Sequence, residues 1–253
     1  MEKNLEVIQI TETRSAGTEP KAQFLRGVQA GIPIAIGFIP CAIAFGLLSR
    51  SAGIPIYIGG LMSFMVFAGA SQFVAVNLIM LSTSFGEIVL TTFILNLRHL
   101  LMSASISQRM DENISKKFRA LLAFGVTDET FTMATMQKEE KLDPFFILGL
   151  NLTAFSAWNI GTWIGILAGS ALPETIQASM GITLYVMFIG LLVPSFRKSL
   201  PIAVVALTAI VIHSVLMWVP FLPKLSTGWN IIIATVIAAF LGALLFDKGS
   251  DKS

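Results

Sequence analysis

The tetrapeptide Asn96-Leu97-Arg98-His99 interrupts a stretch, residues 93–106, that is otherwise apolar or small. An arginine at the centre of so apolar a helix costs about 2.5 to 3.5 kcal/mol on membrane-insertion scales, so it must face a partner, a cavity or the lipid interface. The planar fork of Arg98 suits a carboxylate. Two readings fit. In one, Arg98 anchors the carboxylate of a small ligand or pairs with Asp128 or Glu129, and Asn96 adds hydrogen bonds; in the other it lies near the segment end and snorkels to headgroups. Histidine titrates nearest neutrality, so His99 is either a group able to respond to a proton gradient or a structural histidine bonded to a backbone carbonyl.

Two further constellations carry chemistry. Thr127-Asp128-Glu129-Thr130 places adjacent carboxylates in an apolar stretch, where they can serve as proton carriers or ammonium ligands, or else form a solvated turn between interfacial helices. Adjacent residues point about 100° apart on a helix, so one of the two at most faces a given cavity. Phe67-Ala68-Gly69-Ala70-Ser71-Gln72-Phe73 is a run of small residues ending in an amide. It favours close helix packing or local unwinding, and in the second case Gly69, Ser71 and Gln72 present backbone and side-chain groups to a ligand. His213, alone in its segment, is weaker, and Gly161, Gly165 and Gly169 read as a packing face. No metal site is implied, because the two histidines are far apart and there is a single cysteine, Cys41. Nucleotide-binding loops, nucleophile elbows and zinc helices are absent from the sequence, which argues against an enzyme and calls for no cofactor. A relay of Ser71, His99 and Asp128 has no support from spacing.

The elements that must position these groups are membrane helices. Of 253 residues, 55% are apolar and 13% charged, against about 25% charged in soluble domains, and the mean hydropathy is +0.78. The 17 Lys and Arg nearly balance the 15 Asp and Glu, which excludes nucleic acid as the partner. The sequence shows about eight apolar runs of spanning length, residues 24–49, 56–81, 88–107, 118–136, 145–171, 176–193, 202–219 and 229–246. The fold class is therefore all-α, a polytopic helical membrane protein. Residues 1–23 read as a polar tail, neither signal peptide nor anchor, 24–246 as a single transmembrane domain, and 247–253 as a second tail.

Eight full crossings would put both termini in the cytoplasm, in keeping with Arg26, Arg197 and Lys198. They would also put Arg109, Lys116, Lys117 and Arg119 outside. That conflict points to segments in the first half that are broken or re-entrant. Pro33 and Pro40 are the expected helix breaks in the first segment, since proline removes a backbone donor and clashes with the preceding turn. Broken backbone at membrane depth needs protein or a water-filled cavity around it, which is where transporters place their sites. The polar connection 138–143 leaves four segments on each side, which is compatible with an internal repeat, parallel or inverted.

Pro40 with Phe45-Gly46, the Phe67–Phe73 run, Asn96-Leu97-Arg98-His99 and Asp128-Glu129, in that order, resemble the AzlC family of bacterial branched-chain amino acid exporters; Cys41-Ala42 stands where an aromatic residue and glycine are expected. The resemblance implies a secondary transporter exporting leucine, isoleucine or valine, and methionine as an extension, across the bacterial cytoplasmic membrane, with a small AzlD-type membrane protein as partner. Carried onto this chain, it implies substrate contacts at Gly69, Ser71, Gln72, Asn96 and Arg98, and proton or ammonium contacts at His99, Asp128 and Glu129. Proton antiport is the expected coupling. A uniporter or channel, or a membrane scaffold subunit, are the alternatives.

Overall fold

The computed structural model describes residues 19–169, 199–218 and 225–246, with positions 189, 193 and 196 between them. Two expected features, the segment 176–193 and the Arg197-Lys198 loop, lie outside the described helices. Nine helices are described: α1 (Pro20–Ser51), α2 (Ile56–Val66), α3 (Gly69–Met80), α4 (Phe85–Gln108), α5 (Lys116–Phe124), α6 (Asp128–Thr135), α7 (Pro144–Ala168), α8 (Leu200–Trp218) and α9 (Thr227–Phe246). Helix α1 starts inside the stretch expected to be tail, because Pro20 at its first position supplies a preset φ and lacks only an N–H that would be orphaned anyway.

The scaffold is the pair α1 and α7. A Cβ added at Gly27 would strike the Phe146 carbonyl, at Gly149 the Phe24 carbonyl, at Gly165 the Ile43 carbonyl and at Gly46 the Thr162 carbonyl. Contact positions rise together along both helices, so the two run parallel with backbone against backbone. Lipid tails are as apolar as leucine, so van der Waals contact between close backbones holds such a pair, not a hydrophobic drive. Gly161 and Gly165 thus form the packing face expected of them.

Pro33 and Pro40 do not break α1, which is helical through both. Each proline removes one backbone donor, yet the long seam with α7 fixes the helix on either side of it. The breaks fall where no proline stands. Between α2 and α3, Phe67 adopts a left-handed φ of 45° and Ala68 a φ of −137°. Between α5 and α6, the chain turns at Gly125, Val126 and Thr127, and Thr127 begins a capping box with Thr130.

Each break is the tip of a re-entrant hairpin. Helix α2 descends α1 from Ser49, which Gly59 faces, to Phe38, which meets Phe67 edge-on at 6.4 Å; α3 returns to the level of Phe45, whose ring meets Phe73 at 5.5 Å. At 11 and 12 residues, α2 and α3 are each about 16 to 18 Å long, half a bilayer. Helix α4 then crosses fully, its 24 residues spanning about 36 Å. From its far end α5 climbs α7 from Phe145, against Phe118, to Phe155, against Phe124. Helix α6 returns along α4 from Arg98 to Arg109. The tips of the two hairpins, entering from opposite faces, meet at Phe67, Phe124 and Phe155.

This geometry removes the topological conflict of the sequence. Arg109 and Arg26 lie on one face, because Leu142 beside the start of α7 donates to the Arg109 carbonyl at 2.7 Å and Arg26 pairs with Glu139 at 3.1 Å. The repetition also sits elsewhere than the midpoint suggested: a crossing helix followed by a hairpin (α1 to α3) is repeated upside down as α4 to α6. Helices α1, α4, α8 and α9 are long and apolar enough to cross a membrane. The 25-residue α7 carries no charged residue and is buried along one whole side. Helices α8 and α9 form an antiparallel pair, with Gly242 against Val205 and the Asn230 amide against the Met217 sulfur at 3.0 Å. Glu87 on α4 ties that pair to the core, accepting from Ser226 and from the Trp229 N–H at the start of α9.

Candidate functional site

The first tip is held by uncharged groups. The Gln72 amide donates to Ser63 Oγ at 3.0 Å and accepts from the Ala68 N–H at 3.2 Å, while Ser63 shares a proton with Thr162 on α7 at 2.7 Å. Ser71 Oγ donates to the Ala68 carbonyl at 3.0 Å. Ser63, Ser71, Gln72 and Thr162 are all buried to within 1%. Gly69 lies flat against the Trp158 ring, where any side chain would collide. The left-handed turn at Phe67 frees backbone groups in a setting without water, and Gln72 and Ser71 satisfy them. Gly69, Ser71 and Gln72 thus sit together at the tip, turned toward α7 and engaged within the protein.

The second tip carries the charges. Arg98 Nη1 lies 2.8 Å from Asp128 Oδ2, and the two side chains are 39% and 36% exposed. Arg98 stands about 20 Å along α4, near mid-depth rather than at the segment end, which disfavours snorkelling. Asp128 is the first residue of α6, where a carboxylate also complements the partial positive charge of the helix start. The His99 ring is beside the Val126 backbone and Asp128. Glu129 diverges from its neighbour, as adjacent helix positions must, on a helix that packs on α1, the helix of Cys41, as well as on α4. Asn96 Oδ1, Arg98 Nε and His99 Nε2 are buried with no hydrogen-bond partner. The structure thus brings Arg98, His99, Asp128 and Glu129 to one place and, among the described residues, leaves polar atoms there without a hydrogen-bond partner, the Arg98 Nε–H donor and the Asn96 Oδ1 acceptor among them. His213 is carried on α8, which packs chiefly on α9.

A strap, residues 136–143, closes the second hairpin on the Arg26 face. Arg109 donates to the carbonyls of Glu139 at 2.6 Å, Gln137 at 3.1 Å, Glu140 at 3.4 Å and Thr135 at 3.5 Å. Arg119 donates to the Ser107 and Asp111 carbonyls and to Ser107 Oγ, gripping the end of α4. Beside the strap lies an open cavity of 310 Å³, bordered by the charged Arg26, Asp111, Glu139 and Lys141 and by Leu142, Pro144 and Phe146. The Asn113 backbone N–H and then Lys141 hold the Asp111 carboxyl below its ordinary range, and the Glu139 N–H and then Arg26 do the same for Glu139. Sequence reasoning took Arg109 and Arg119 only as topological charges and passed over Glu87 and Trp158. Buried glutamate at the edge of an apolar run was the one signal that pointed to Glu87.

Among the described residues no group of histidine, cysteine, aspartate and glutamate could hold a metal ion. A cationic fork beside a carboxylate at mid-depth, flanked by half-helix starts, fits a small zwitterion: a carboxylate against Arg98 and an ammonium against Asp128 or Glu129.

The profile of the family described as AzlC protein matches residues 33–172 of this chain. The chain belongs to the AzlC family. It is 32% identical over 191 residues to the inner membrane protein YgaZ of Escherichia coli strain K12, covering 73% of this chain and 78% of that one. An uncharacterized membrane protein of Archaeoglobus fulgidus is 35% identical over 178 residues, 70% of this chain and 77% of the relative. The branched-chain amino acid transport protein AzlC of Bacillus subtilis strain 168 is 32% identical over 141 residues, 55% of each chain. No solved structure matches the chain. The family match takes in most of the α1 seam, both hairpins and α7, so Gly69, Ser71, Gln72, Asn96, Arg98, His99, Asp128 and Glu129 all lie inside it.

Proposed function

We propose that this chain is a secondary transporter that exports branched-chain amino acids, leucine, isoleucine and valine with methionine as an extension, across a bacterial cytoplasmic membrane. The observation that carries the reading is the Arg98–Asp128 pair at mid-depth between two broken elements. An amino-acid zwitterion can enter by exchange: its carboxylate takes Arg98 from Asp128, and its ammonium takes the released Asp128 or the neighbouring Glu129. Exchange of one ion pair for two leaves neither Arg98 nor Asp128 without an opposite charge during the step. The hairpins, approaching from opposite faces, are suited to admit ligand from one side at a time.

Uphill export needs a driving force, and the sequence has no nucleotide-binding motif. Proton antiport through His99, Glu129 or the Asp128 carboxylate supplies one. The Arg26 face, with Arg109, Lys116, Lys117 and Arg119, belongs in the cytoplasm by the positive-inside rule, together with both termini. A small AzlD-type membrane protein is the proposed partner. The test is efflux of leucine, isoleucine, valine and methionine from preloaded cells, with the chain alone and with such a partner. Efflux that vanishes in Arg98→Ala and when the pH gradient is collapsed is the expected result. Absence of efflux of all four with both chains present rejects the substrate class, and full retention after collapse rejects the coupling.

A further inference from the structure

Helix α6 is gripped at both ends by arginines of α4. Arg98 meets its first residue, Asp128, at 2.8 Å. Arg109 meets the carbonyls of Thr135, Gln137, Glu139 and Glu140 at its other end. The two arginines are three turns apart on α4, since eleven residues at about 100° each return to the same face. The arrangement also suits the helix dipole, with a carboxylate at the positive start of α6 and a guanidinium at its negative end. With eight residues, α6 is too short to be stable alone, so its placement depends on the packing of Phe131, Met133 and Ala134 against the core, on the Thr127 cap and on these two contacts at its ends.

The contacts differ in permanence. Arg98 must let go of Asp128 if a ligand is to take its place, a step that rests on the transport reading above. Arg109 has no such duty: its donors are shared among four backbone carbonyls, and its own carbonyl accepts from Leu142 at 2.7 Å. A helix that is released at one end and held at the other pivots about the held end. We propose that Arg109 is a positioning residue of the site: it fixes the far end of α6, and through that short helix sets the Asp128 carboxylate against Arg98 and the helix itself against α1, which carries Cys41.

Cys41, the single cysteine of the chain, is the reporter. It is half-buried on α1, against which α6 packs, so its rate of modification by methyl methanethiosulfonate in the purified full chain measures how closely α6 covers it. Arg109→Gln is expected to raise that rate by about tenfold, a coupling of ordinary size. Arg109→Lys, which keeps a cation but not the fork that spans four carbonyls, is expected to fall midway between wild type and Arg109→Gln. Lys117→Gln, an exposed cation of the same turn, leaves it unchanged. In an Asp128→Asn background, where the start of α6 is already partly loosened, Arg109→Gln is expected to add less than it does in the wild type. In the efflux assay Arg109→Gln raises half-saturation and preserves the maximal rate per molecule.

Unchanged labelling in Arg109→Gln overturns the proposal. So does an increase that persists in full in the Asp128→Asn background, because the route through Asp128 would then be absent. Where Arg109→Gln does not survive extraction as a monodisperse species, the intermediate labelling of Arg109→Lys decides, and a wild-type value there overturns the proposal. A wild-type chain that moves no amino acid rejects the transport reading alone, and the labelling arm still tests Arg109.

Discussion

The two re-entrant hairpins solve one problem with opposite chemistry. Each opens a helix at mid-depth and must satisfy the freed backbone without water. The first does so with a dry, neutral network, Gln72 to Ser63 to Thr162, that bolts it to α7. The second satisfies its turn with the Thr127–Thr130 capping box and with Asn151, which donates to the Leu122 carbonyl, and adds what the first lacks, charged and partly exposed ties to α4 through Arg98 at the tip and Arg109 and Arg119 at the far end. Neutral hydrogen bonds buried at 1% exposure have no competitor for their partners, whereas an ion pair that is more than a third exposed can exchange its partner for a ligand. The lesson is a division of labour: a fixed hairpin that shapes the pathway and a releasable one that answers to what is bound.

Both hairpins lean on the α1–α7 seam, so the largest effect is expected there. Gly165→Val drives a branched side chain into the Ile43 carbonyl and should cost at or beyond about 3 kcal/mol, seen as loss of monodisperse protein on extraction. Gly37→Ala, with open space around it, should leave the yield unchanged. Equal tolerance at the two positions would remove the shared scaffold from under the comparison.

Next in size is the neutral bolt. Gln72→Leu strands the Ala68 N–H and Ser63, an expected loss of about 1 to 3 kcal/mol read as a lower melting temperature. If thermal stability is untouched while efflux disappears, Gln72 contacts the ligand and the first hairpin is not merely fixed. The releasable pair should behave in the reverse way. Asp128→Asn is expected to change stability by less than about 1 kcal/mol, as for other solvent-reachable pairs, yet to abolish efflux. A stability loss as large as that of Gln72→Leu would show the pair to be structural and erase the contrast.

The smallest effect is that of acid on the strap. Asp111 and Glu139 both have their carboxyls held below the usual range by N–H groups and by Lys141 and Arg26. A carboxylate lowered on folding stabilises the closed strap above its unfolded value, about 4, and that contribution is lost as pH falls through the folded value. The melting temperature should therefore be flat from neutrality down to the carboxylate range as far as these two groups are concerned, with a modest fall below it. Glu139→Gln should reduce that fall. A fall beginning near neutrality would point to a different group.

The breaks show how far the sequence could be followed. A basic turn on the wrong side of an eight-crossing count revealed that some early segments are re-entrant, because charge placement across a bilayer is read locally. It did not reveal which residues turn. Pro33 and Pro40 carry the strongest local signal for a break, and α1 runs through both because its seam with α7 holds the backbone on either side. The small-residue run from Phe67 was legible as close packing or local unwinding without a choice between them, and Val126 carries no signal; the chain turns at both because α7, α1 and the opposite tip leave a half-length helix as the shape that packs. Arg98 and Asp128 were legible as charges lacking partners, and an uncharged surrounding limits the partners they could have. Gln72 and Ser71 were legible as polar groups, but whether such groups face a ligand or their own backbone is a matter of direction, and period alone does not give it.

By itself the sequence determined a helical membrane protein, the family motifs, the presence of re-entrant elements in the first half and the charges that must meet. Those follow from the cost of moving each residue into lipid, a property of the residue and its neighbours along the chain. Tertiary structure decided where helices break, which polar groups serve the backbone, and that Arg98 and Arg109 share the two ends of α6. Such choices depend on contacts between residues distant in sequence, where the alternative to each contact is an unsatisfied polar group in a medium without water.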